Sequence, residues 1–197
     1  MTPEQVSALL EESGALLKGH FRLSSGRHSD LYVQKFRVFE RPAATRALGV
    51  ALADLFGDFA AVASPALGAV VLGFSVALAR GARSVFAERV DGELKLRRGF
   101  TLGPGERVLV VEDVVTTGGS AREVVELAQK WGAEVLGVGA LLDRSEEEIG
   151  LGVPLKSLLR LEARSWEAAA CPLCAAEAPL EDPGSRRISP SGGHMTI

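Results

Sequence analysis

The chain has 197 residues, with 22 lysines and arginines against 25 aspartates and glutamates, which gives a formal net charge of −3. This length suits one domain with a small appendage, and 47% apolar with 24% charged residues excludes wholesale disorder. The near-neutral charge argues against a protein that coats nucleic acid or lies on membranes. Two cysteines are too few for a disulfide framework, so we expect a reducing, cytoplasmic location.

The first residues predict a helix, and we expect no signal peptide there. Thr2-Pro3 followed by Gln5 has the pattern of an N-cap, a proline at the first helical position and a capping-box partner. Gly14 suits the end of that helix. A signal peptide needs a basic start and an apolar run, so none is expected.

Residues 59–79 form an uncharged stretch that could span a membrane by length alone. Ser64-Pro65 interrupts it, and alanine, glycine and serine dilute its hydrophobicity. We therefore predict a short strand over 60–63, a buried helix over 68–79, and no membrane association.

The rest of the chain alternates between apolar strands and helices. Residues 21–38 are expected to form a loop feeding a short strand, and the apolar spacing of 41–56 predicts a helix. Asp91-Gly92 predicts a hairpin turn between a strand at 83–87 and residues 94–102. The pattern then gives strands at 107–112 and 135–142, with a helix at 120–131 between them. Such alternation favours an α/β fold with a central, mainly parallel sheet flanked by helices.

One predicted strand end carries the chemistry. Glu112 and Asp113 end a buried strand, at the edge of an open α/β sheet where ligands bind. The loop Thr116–Gly119 leads into a helix, with Ser120 and Glu123 spaced as a capping box, and backbone N–H groups at a helix start bind phosphate. Because carboxylates repel phosphate, we expect them to face sugar hydroxyls or a metal held by the substrate. The pattern therefore indicates a phosphorylated sugar.

Two better-known phosphate-binding loops are excluded. The G-x-x-x-x-G-K-[ST] pattern of a Walker A loop is absent, and Gly118-Gly119 lacks the G-x-G-x-x-G spacing of a dinucleotide-binding turn. An ordinary capped strand–helix turn is the remaining alternative, but it explains neither the acidic pair nor the two threonines.

Several of these segments resemble a known family. Val110–Ser120 is similar to the signature of the type I phosphoribosyltransferases, which bind 5-phosphoribosyl-1-pyrophosphate (PRPP). Phe21–Ser29, with Tyr32 after it, resembles the N-terminal substrate motif of the orotate phosphoribosyltransferases within that family. Leu141–Arg144 is similar to their strand end with a substrate-contacting arginine, and Ser64–Gly68 lies where the family has its pyrophosphate-binding loop.

The resemblance covers about residues 16–160 and implies the type I phosphoribosyltransferase fold. That fold adds a small N-terminal hood region and a β-hairpin flap to the sheet and helices. We accordingly expect one domain over 1–170, with the hood region at about 1–40 and the hairpin at about 86–100. Residues 171–197 are expected to form a C-terminal extension.

The resemblance also implies roles for residues of this chain. Glu112 and Asp113 would hold the ribose hydroxyls, directly or through Mg²⁺ and water, and Thr116–Ser120 would hold the 5-phosphate. The implied PRPP-binding set is Glu112, Asp113, Val114, Val115, Thr116, Thr117, Gly118, Gly119, Ser120 and Arg89. The implied orotate-binding set is Ser25, Gly26, Tyr32, Thr116 and Arg144, with a guanidinium that suits the orotate carboxylate. The implied catalytic residues are Arg89, Lys95 and Asp113, and Mg²⁺, held mainly by the substrate, is the implied cofactor.

The segment Phe86–Phe100 matches the family's mobile hood, which closes over the pyrophosphate, often on the neighbouring subunit's site. A homodimer is therefore implied. For any single basic residue of this hairpin, a solvated surface position is the alternative. The chain departs from the family pattern by having no histidine in the hairpin, by Ser24 where many relatives have a lysine, and by Leu67 where some have a basic residue.

The implied reaction joins orotate and PRPP to give orotidine 5-phosphate and pyrophosphate, in de novo pyrimidine (UMP) biosynthesis. Two other functions stay open: transfer to a purine base, and regulation by a protein of the same fold that binds nucleotide or RNA without turnover. Arg144 and the Phe21–Ser29 motif favour the acidic pyrimidine. The net charge offers no surplus of cations for nucleic acid.

Two cysteines and three histidines are not absorbed by this function. Cys171 and Cys174 form a C-x-x-C pair, and the chain has no second pair to complete a four-ligand zinc site. With His194 nearby in sequence, a zinc site shared between subunits, a redox pair and plain packing all stay open. His20 and His28 flank the serine–glycine loop and are interpreted either as substrate contacts or as solvated loop residues.

Overall fold

The computed structural model describes residues 1–23, 25–161 and 164–183. The described part of the chain divides into two compact units. The first holds the described residues of Met1–Leu16 and Val33–Glu162, and the second holds those of Leu17–Tyr32 and Ala163–Ile197. Parts of the expected hood region and of the expected C-terminal extension thus share one unit.

The elements alternate as the sequence predicts over most of the chain. In chain order they are α1 (Pro3–Glu12), β1 (Leu16–Arg22), β2 (His28–Val33), α2 (Phe36–Phe39), α3 (Pro42–Ala53), β3 (Ala61–Pro65), α4 (Val70–Arg80), β4 (Arg83–Val90), β5 (Glu93–Leu96), β6 (Arg107–Val115), α5 (Gly119–Lys130), β7 (Glu134–Asp143), β8 (Leu155–Arg160), β9 (Ser165–Trp166) and α6 (Pro172–Ala175). A 3₁₀ turn at Ala168–Ala170 precedes α6.

The first unit is built on a six-stranded sheet in the order β5-β4-β3-β6-β7-β8. All neighbouring pairs are parallel except β4 with β5, which are antiparallel. From β3 the chain moves outward to β4 and β5, then returns to place β6 on the other side of β3. The strand order therefore reverses between β3 and β6, and in such sheets the carboxyl ends of the two strands at the reversal form the ligand crevice.

Helices cover both faces of this sheet, as the predicted α/β fold requires. On one face Val108 and Val110 of β6 pack with Val124 of α5 in a single buried cluster. On the other face Val62 of β3 faces Gly73 of α4. Strands β3 and β6 thus alternate buried side chains between two apolar layers, which explains the apolar runs of these two central strands.

Helices α3 and α4 pack closely through small residues. The Ser75 hydroxyl donates to the Thr45 carbonyl oxygen at 3.0 Å. A Cβ added at Gly49 would lie 2.7 Å from the backbone carbonyl carbon of Ser75. Glycine at position 49 is therefore what lets the two helices come so close.

Two local predictions are confirmed in detail. In the capping box of α1, the Thr2 hydroxyl accepts from the Gln5 N–H while the Gln5 side chain accepts from the Thr2 N–H. The β4–β5 hairpin turns at Asp91 and Gly92, whose φ values of 52° and 86° are those of a tight two-residue turn.

Several local features differ from the predictions. The short strand expected within residues 21–38 is present as β2, but β1 before it and helix α2 after it were not predicted. Strand β5 ends at Leu96 rather than continuing to residue 102, because Arg98 and Gly99 take positive φ and turn the chain away. Strand β8 was not predicted, since its sequence LKSLLR carries two charges and a serine and lacks the apolar run of β3 and β6.

The uncharged stretch at 59–79 is divided between β3 and α4, as expected. Among the described helices, none has both the length and the apolar character needed to cross a membrane.

The second unit contains a small sheet in the order β1-β2-β9. The antiparallel pairing of β2 with β9 places His28 opposite Trp166 and Ser29 opposite Ser165. Arg27 reinforces this pairing, since its guanidinium donates to the Ser165 carbonyl oxygen at 2.8 Å. The unit therefore joins a segment near the start of the chain to one near its end.

Candidate active site

A cavity opens where the strand order reverses. Its lining comes from the loop after β3, from the end of β6 and from the start of α5, with one lysine from the segment before α2. Counted to its open mouth, its empty space is ≈ 510 Å³, and its lining residues are Lys35, Pro65, Ala66, Gly68, Glu112, Asp113, Val114 and Ser120. The volume lies within the range of small-molecule sites.

Two neighbouring carboxylates form the floor of this cavity. Glu112 is 8% exposed and Asp113 3% exposed, so both acids lie almost out of solvent. The Lys35 ammonium lies 2.5 Å from Asp113 Oδ2, and Asp113 Oδ1 accepts from the Val114 N–H at 2.6 Å. A buried carboxylate is costly unless it is paired and hydrogen-bonded, so Lys35 is what allows Asp113 to stay buried at the site.

Lys35 is the site residue that the sequence analysis missed. It follows β2 directly, in a stretch with no motif around it, and it meets Asp113 only because the fold brings the two segments together. A lysine in this mixed segment, between Gln34 and Phe36, gives no signal that distinguishes it from a solvated surface residue.

Burial raises the pKa of the Glu112 carboxyl to about 8, and the negative charge of Asp113 adds to the rise. The Asp113 N–H, which donates to Glu112 Oε1 at 3.1 Å, and the more distant Lys35 oppose it. At neutral pH, Glu112 therefore holds a proton in the free protein. A protonated carboxyl can donate a hydrogen bond as well as accept one, which suits contact with sugar hydroxyls.

The loop after β6 forms a second recess of ≈ 270 Å³ beside the first, lined by Glu112, Val114, Val115, Thr116, Thr117, Gly118, Gly119, Ser120 and Ala121. Helix α5 begins here, and its first N–H groups have no partner within the helix. Together with the positive end of the helix dipole, they form a site for an anion such as phosphate.

The predicted capping box at Ser120 and Glu123 is wrong. The N-cap of α5 is Gly118 in the left-handed conformation (φ 74°), and among the described residues no side chain caps the helix. Ser120 therefore lies inside the first turn, and the Glu123 carboxylate binds Arg89 instead. The loss of the capping box leaves the helix start open to a ligand.

Glycines let backbone and side chains approach closely at this site. A Cβ at Gly68 would overlap the Asp113 carboxylate and the Lys35 ammonium, so the loop after β3 lies directly against the ion pair. Within that loop the Ala66–Leu67 peptide is cis, and the Leu67 side chain is 76% exposed.

Three basic residues of the hairpin, Arg89, Lys95 and Arg98, are paired with acidic neighbours. Arg89 donates from both terminal nitrogens to the two carboxylate oxygens of Glu123, each at 3.0 Å. Arg98 binds Glu88 in the same two-pronged way, at 3.1 and 2.8 Å. The Lys95 ammonium lies 3.5 Å from a carboxylate oxygen of Glu93. In this arrangement the cations neutralise local acids, and none of them lines the cavity.

The predicted orotate-binding residues fall in two places. Thr116 lies in the phosphate-sized recess, and Arg144 follows β7, where its N–H donates to the Val115 carbonyl oxygen at 2.8 Å. Ser25, Gly26 and Tyr32 belong to the second unit, where the Tyr32 hydroxyl donates to the Pro183 carbonyl oxygen at 3.3 Å. Ser24 and His194 lie outside the described residues.

Comparison with known proteins agrees with this geometry. The family model of the phosphoribosyl transferase domain matches residues 58–174, which include β3, β6, α5 and the loops that line both recesses. An orotate phosphoribosyltransferase of Thermotoga maritima is 50% identical over 185 residues, covering 93% of this chain and 99% of its own length. That of Caldanaerobacter subterraneus is 46% identical over 190 residues, covering 95% and 100%. The solved orotate phosphoribosyltransferase of Aeropyrum pernix superposes with a TM-score of 0.67 at 27% identity, covering 80% of this chain and 94% of that one.

Proposed function

Because this chain belongs to the orotate phosphoribosyltransferases, we propose that the two recesses described above hold PRPP while its phosphoribosyl group passes to orotate. The products are orotidine 5-phosphate and pyrophosphate, in the de novo synthesis of UMP. The observation that carries the proposal is the juxtaposition of a buried carboxylate pair with an uncapped helix start, at the strand reversal of a parallel sheet.

The phosphate end of PRPP is assigned to the recess at the start of α5. The hydroxyls of Thr116, Thr117 and Ser120 and the backbone at Gly118 and Gly119 line it. Phosphate oxygens accept from N–H and O–H donors of this kind, and the helix dipole favours their negative charge. The helix start thus fixes one end of the sugar, and the carboxylates meet its other face.

The ribose hydroxyls are assigned to Glu112 and Asp113. Because Glu112 is protonated at neutral pH, it approaches the sugar as a neutral donor and does not add a second negative charge beside PRPP. Asp113 stays charge-balanced by Lys35. The pair therefore binds sugar oxygens without repelling the phosphates that flank them.

The donor set also fits Mg²⁺, which prefers oxygen ligands and is commonly held by one or two carboxylates together with substrate phosphates. Both Asp113 oxygens already contact protein groups, so the metal would be held mainly by the pyrophosphate of PRPP, with Asp113 reached through water. When bound, Mg²⁺ supplies positive charge that stabilises the departing pyrophosphate.

The hairpin of β4 and β5 is assigned to cover the pyrophosphate, with Arg89 and Lys95 as its cations. For Arg89 to reach a ligand it must exchange its two-pronged contact with Glu123 for the pyrophosphate. The ion pair is exposed, so the exchange costs little. In the homodimer we propose, the hairpin serves the neighbouring subunit's site. The cytoplasmic location we propose suits two cysteines that form no disulfide.

Orotate is assigned to Arg144 and Thr116, together with Ser25, Gly26 and Tyr32. A guanidinium binds a carboxylate through two parallel hydrogen bonds, and orotate carries such a carboxylate, whereas purine bases do not. Cleavage of the anomeric bond places positive charge on the ribose. Because orotate is itself an anion near neutral pH, the residues of the site need to align it and to exclude water rather than to remove a proton.

The test measures orotate consumption with PRPP and Mg²⁺, from the fall in orotate ultraviolet absorbance. Asp113→Asn keeps the shape of the side chain but removes its charge, and we expect kcat/KM for PRPP to fall by about a hundredfold or more. Asp58→Asn is the matched control, since it makes the same change at an exposed position and should leave kcat/KM unaltered.

Other outcomes would overturn parts of the proposal. Consumption of adenine or another purine base in preference to orotate would refute the assignment of Arg144. Binding of PRPP without turnover of any base would favour a regulator of this fold. If the Asp113→Asn variant melts like the wild type and turns over at the same rate, the Asp113 carboxylate has no role in the reaction.

A further inference from the structure

Four side chains of the second unit converge on one point. His20, His28, Cys171 and Cys174 each direct one nitrogen or sulfur atom inward, and these four atoms all lie within 4.8 Å of one another. His20 and His28 are 3% and 6% exposed, and Cys171 is 4% exposed. The interpretation of the two histidines as solvated loop residues is therefore wrong.

Four of the six distances between these atoms can be compared with the edges of a tetrahedral metal site. His20 Nε2 lies 2.9 Å from His28 Nδ1 and 3.5 Å from Cys171 Sγ. Cys174 Sγ lies 3.3 Å from His28 Nδ1 and 3.7 Å from His20 Nε2. Zinc bonds of about 2.0–2.1 Å to nitrogen and about 2.3 Å to sulfur imply ligand–ligand edges of roughly 3.3–3.8 Å in a tetrahedron. Three of the four distances fall within that range, and the nitrogen pair is slightly shorter.

Hydrogen bonding fixes the state of His20. Its Nδ1 lies 2.9 Å from the Ala178 carbonyl oxygen, which can only accept, so Nδ1 carries the proton and Nε2 presents a lone pair to the cluster. Metal-bound histidines typically donate their second N–H to a carbonyl or carboxylate in this way. The hydrogen bond from His20 Nδ1 to the Ala178 carbonyl oxygen therefore orients the ring so that Nε2 faces the other three side chains.

Hydrogen bonds alone satisfy this cluster poorly. Without a cation, His20 Nε2 and His28 Nδ1 face each other at 2.9 Å. If His28 Nδ1 is unprotonated, two nitrogen lone pairs repel each other; if it is protonated, it takes the lone pair of His20 Nε2 and the two thiols compete for the same acceptor. A cation at the centre gives a partner to every lone pair, with both cysteines as thiolates.

The second unit also needs a cross-link that stabilises its fold. The unit spans only 51 residues, Leu17–Tyr32 and Ala163–Ile197, and units this small commonly add a metal, disulfides or association to a limited apolar core. Among its described hydrophobic side chains only Phe21 and Cys171 are buried. The four converging side chains occupy the place that an apolar core would otherwise take.

We propose that His20, His28, Cys171 and Cys174 bind one Zn²⁺ ion, which joins the β1–β2 strands to the C-terminal segment within a single chain. Two nitrogen and two sulfur ligands in tetrahedral array select zinc among common cellular metals. Because all four positions are filled by protein groups, the site is structural, with no open position for substrate. None of its ligands is among the residues assigned to PRPP, and all four come from one chain.

The test is the metal content of the untagged full-length protein, purified without chelator and measured by mass spectrometry. We expect about one zinc per chain, and at least a tenfold lower content in Cys174→Ser and in His28→Gln. His194→Gln is the matched control, since His194 is the remaining histidine of the chain, and it should keep its zinc. After exchange for Co²⁺, the wild type should show the visible bands of tetrahedral cobalt and thiolate charge transfer.

A measurement on the wild type covers the case in which the variants fail to fold. A strong chelator should lower the melting temperature, and added Zn²⁺ but not Mg²⁺ should restore it. The proposal is overturned if the reduced protein neither holds nor takes up zinc, or if fresh protein contains a Cys171–Cys174 disulfide. Loss of zinc in His194→Gln with retention in His28→Gln would equally refute this ligand set.

Discussion

The protonation of Glu112 makes stability depend on pH in a predictable direction. The pKa of this carboxyl is about 8 in the folded protein and 4.5 ordinarily. Between these values the folded carboxyl holds a proton that the unfolded chain has released, so the free energy of unfolding falls as pH rises. Stability from this group is complete below about pH 4.5 and is lost as pH rises through about 8.

The magnitude follows from the width of that window. Each pH unit inside it changes the free energy of unfolding by about 1.4 kcal/mol for one proton. Between pH 5.5 and 7.5 the wild type therefore loses about 3 kcal/mol of stability through Glu112. Glu112→Gln keeps the acceptor for the Asp113 N–H, but its side chain does not titrate. The variant should therefore gain about 3 kcal/mol relative to the wild type over these two pH units.

The assay is urea unfolding at pH 5.5, 6.5 and 7.5, extrapolated to zero denaturant. The matched control is Glu126→Gln, an exposed glutamate on α5, whose stability difference from the wild type should not change with pH. If the difference for Glu112→Gln is equally flat, the carboxyl is ionised in the folded protein and the reasoning from burial fails.

Three further predictions rest on local geometry. Gly118→Ala places a Cβ 2.6 Å from Ile149 at a φ of 74°. The change should therefore lower the free energy of unfolding in urea by about 2 kcal/mol and raise KM for PRPP severalfold. An unchanged KM would argue against the phosphate assignment. Gly49→Ala forces α3 away from Ser75 on α4 and should cost about 3 kcal/mol, seen in calorimetry as a fall in Tm of roughly 6–12 °C; a fall below about 2 °C would mean that the helices yield easily. Thr2→Ala removes a capping box and should cost about 1 kcal/mol, whereas Thr2→Ser should be neutral.

The sequence predicts the parts of the site that one segment builds by itself. The apolar run of β6, the acidic pair at its end and the glycines before α5 are neighbours in the chain, so their pattern predicts both the structure and the chemistry. The capping box failed within the same segment because the N-cap is Gly118, in a left-handed conformation, two residues before Ser120. Nothing in the Ser120 and Glu123 spacing distinguishes the two outcomes.

Long-range pairing explains what the sequence could not predict. Lys35 becomes a site residue only through Asp113, and His20 meets Cys171 only because β9 and α6 return to β1 and β2. The zinc motif has its ligands in two half-motifs at opposite ends of the chain, and each half alone has a common alternative explanation. The burial of these side chains favours a metal site over those alternatives, and burial is a property of the fold.

The second unit combines two distant segments of the chain, and this affects when it can form during synthesis. Strands β1 and β2 leave the ribosome early, but their partners β9 and α6 follow roughly 130 residues later, on the order of 10 s at typical rates of synthesis. During that interval His20 and His28 have neither cysteine to meet, whereas every strand of the six-stranded sheet is already synthesised before β9 emerges. A nascent chain arrested near residue 165 would thus carry both PRPP recesses without the completed second unit, and zinc would be acquired only at the close of synthesis.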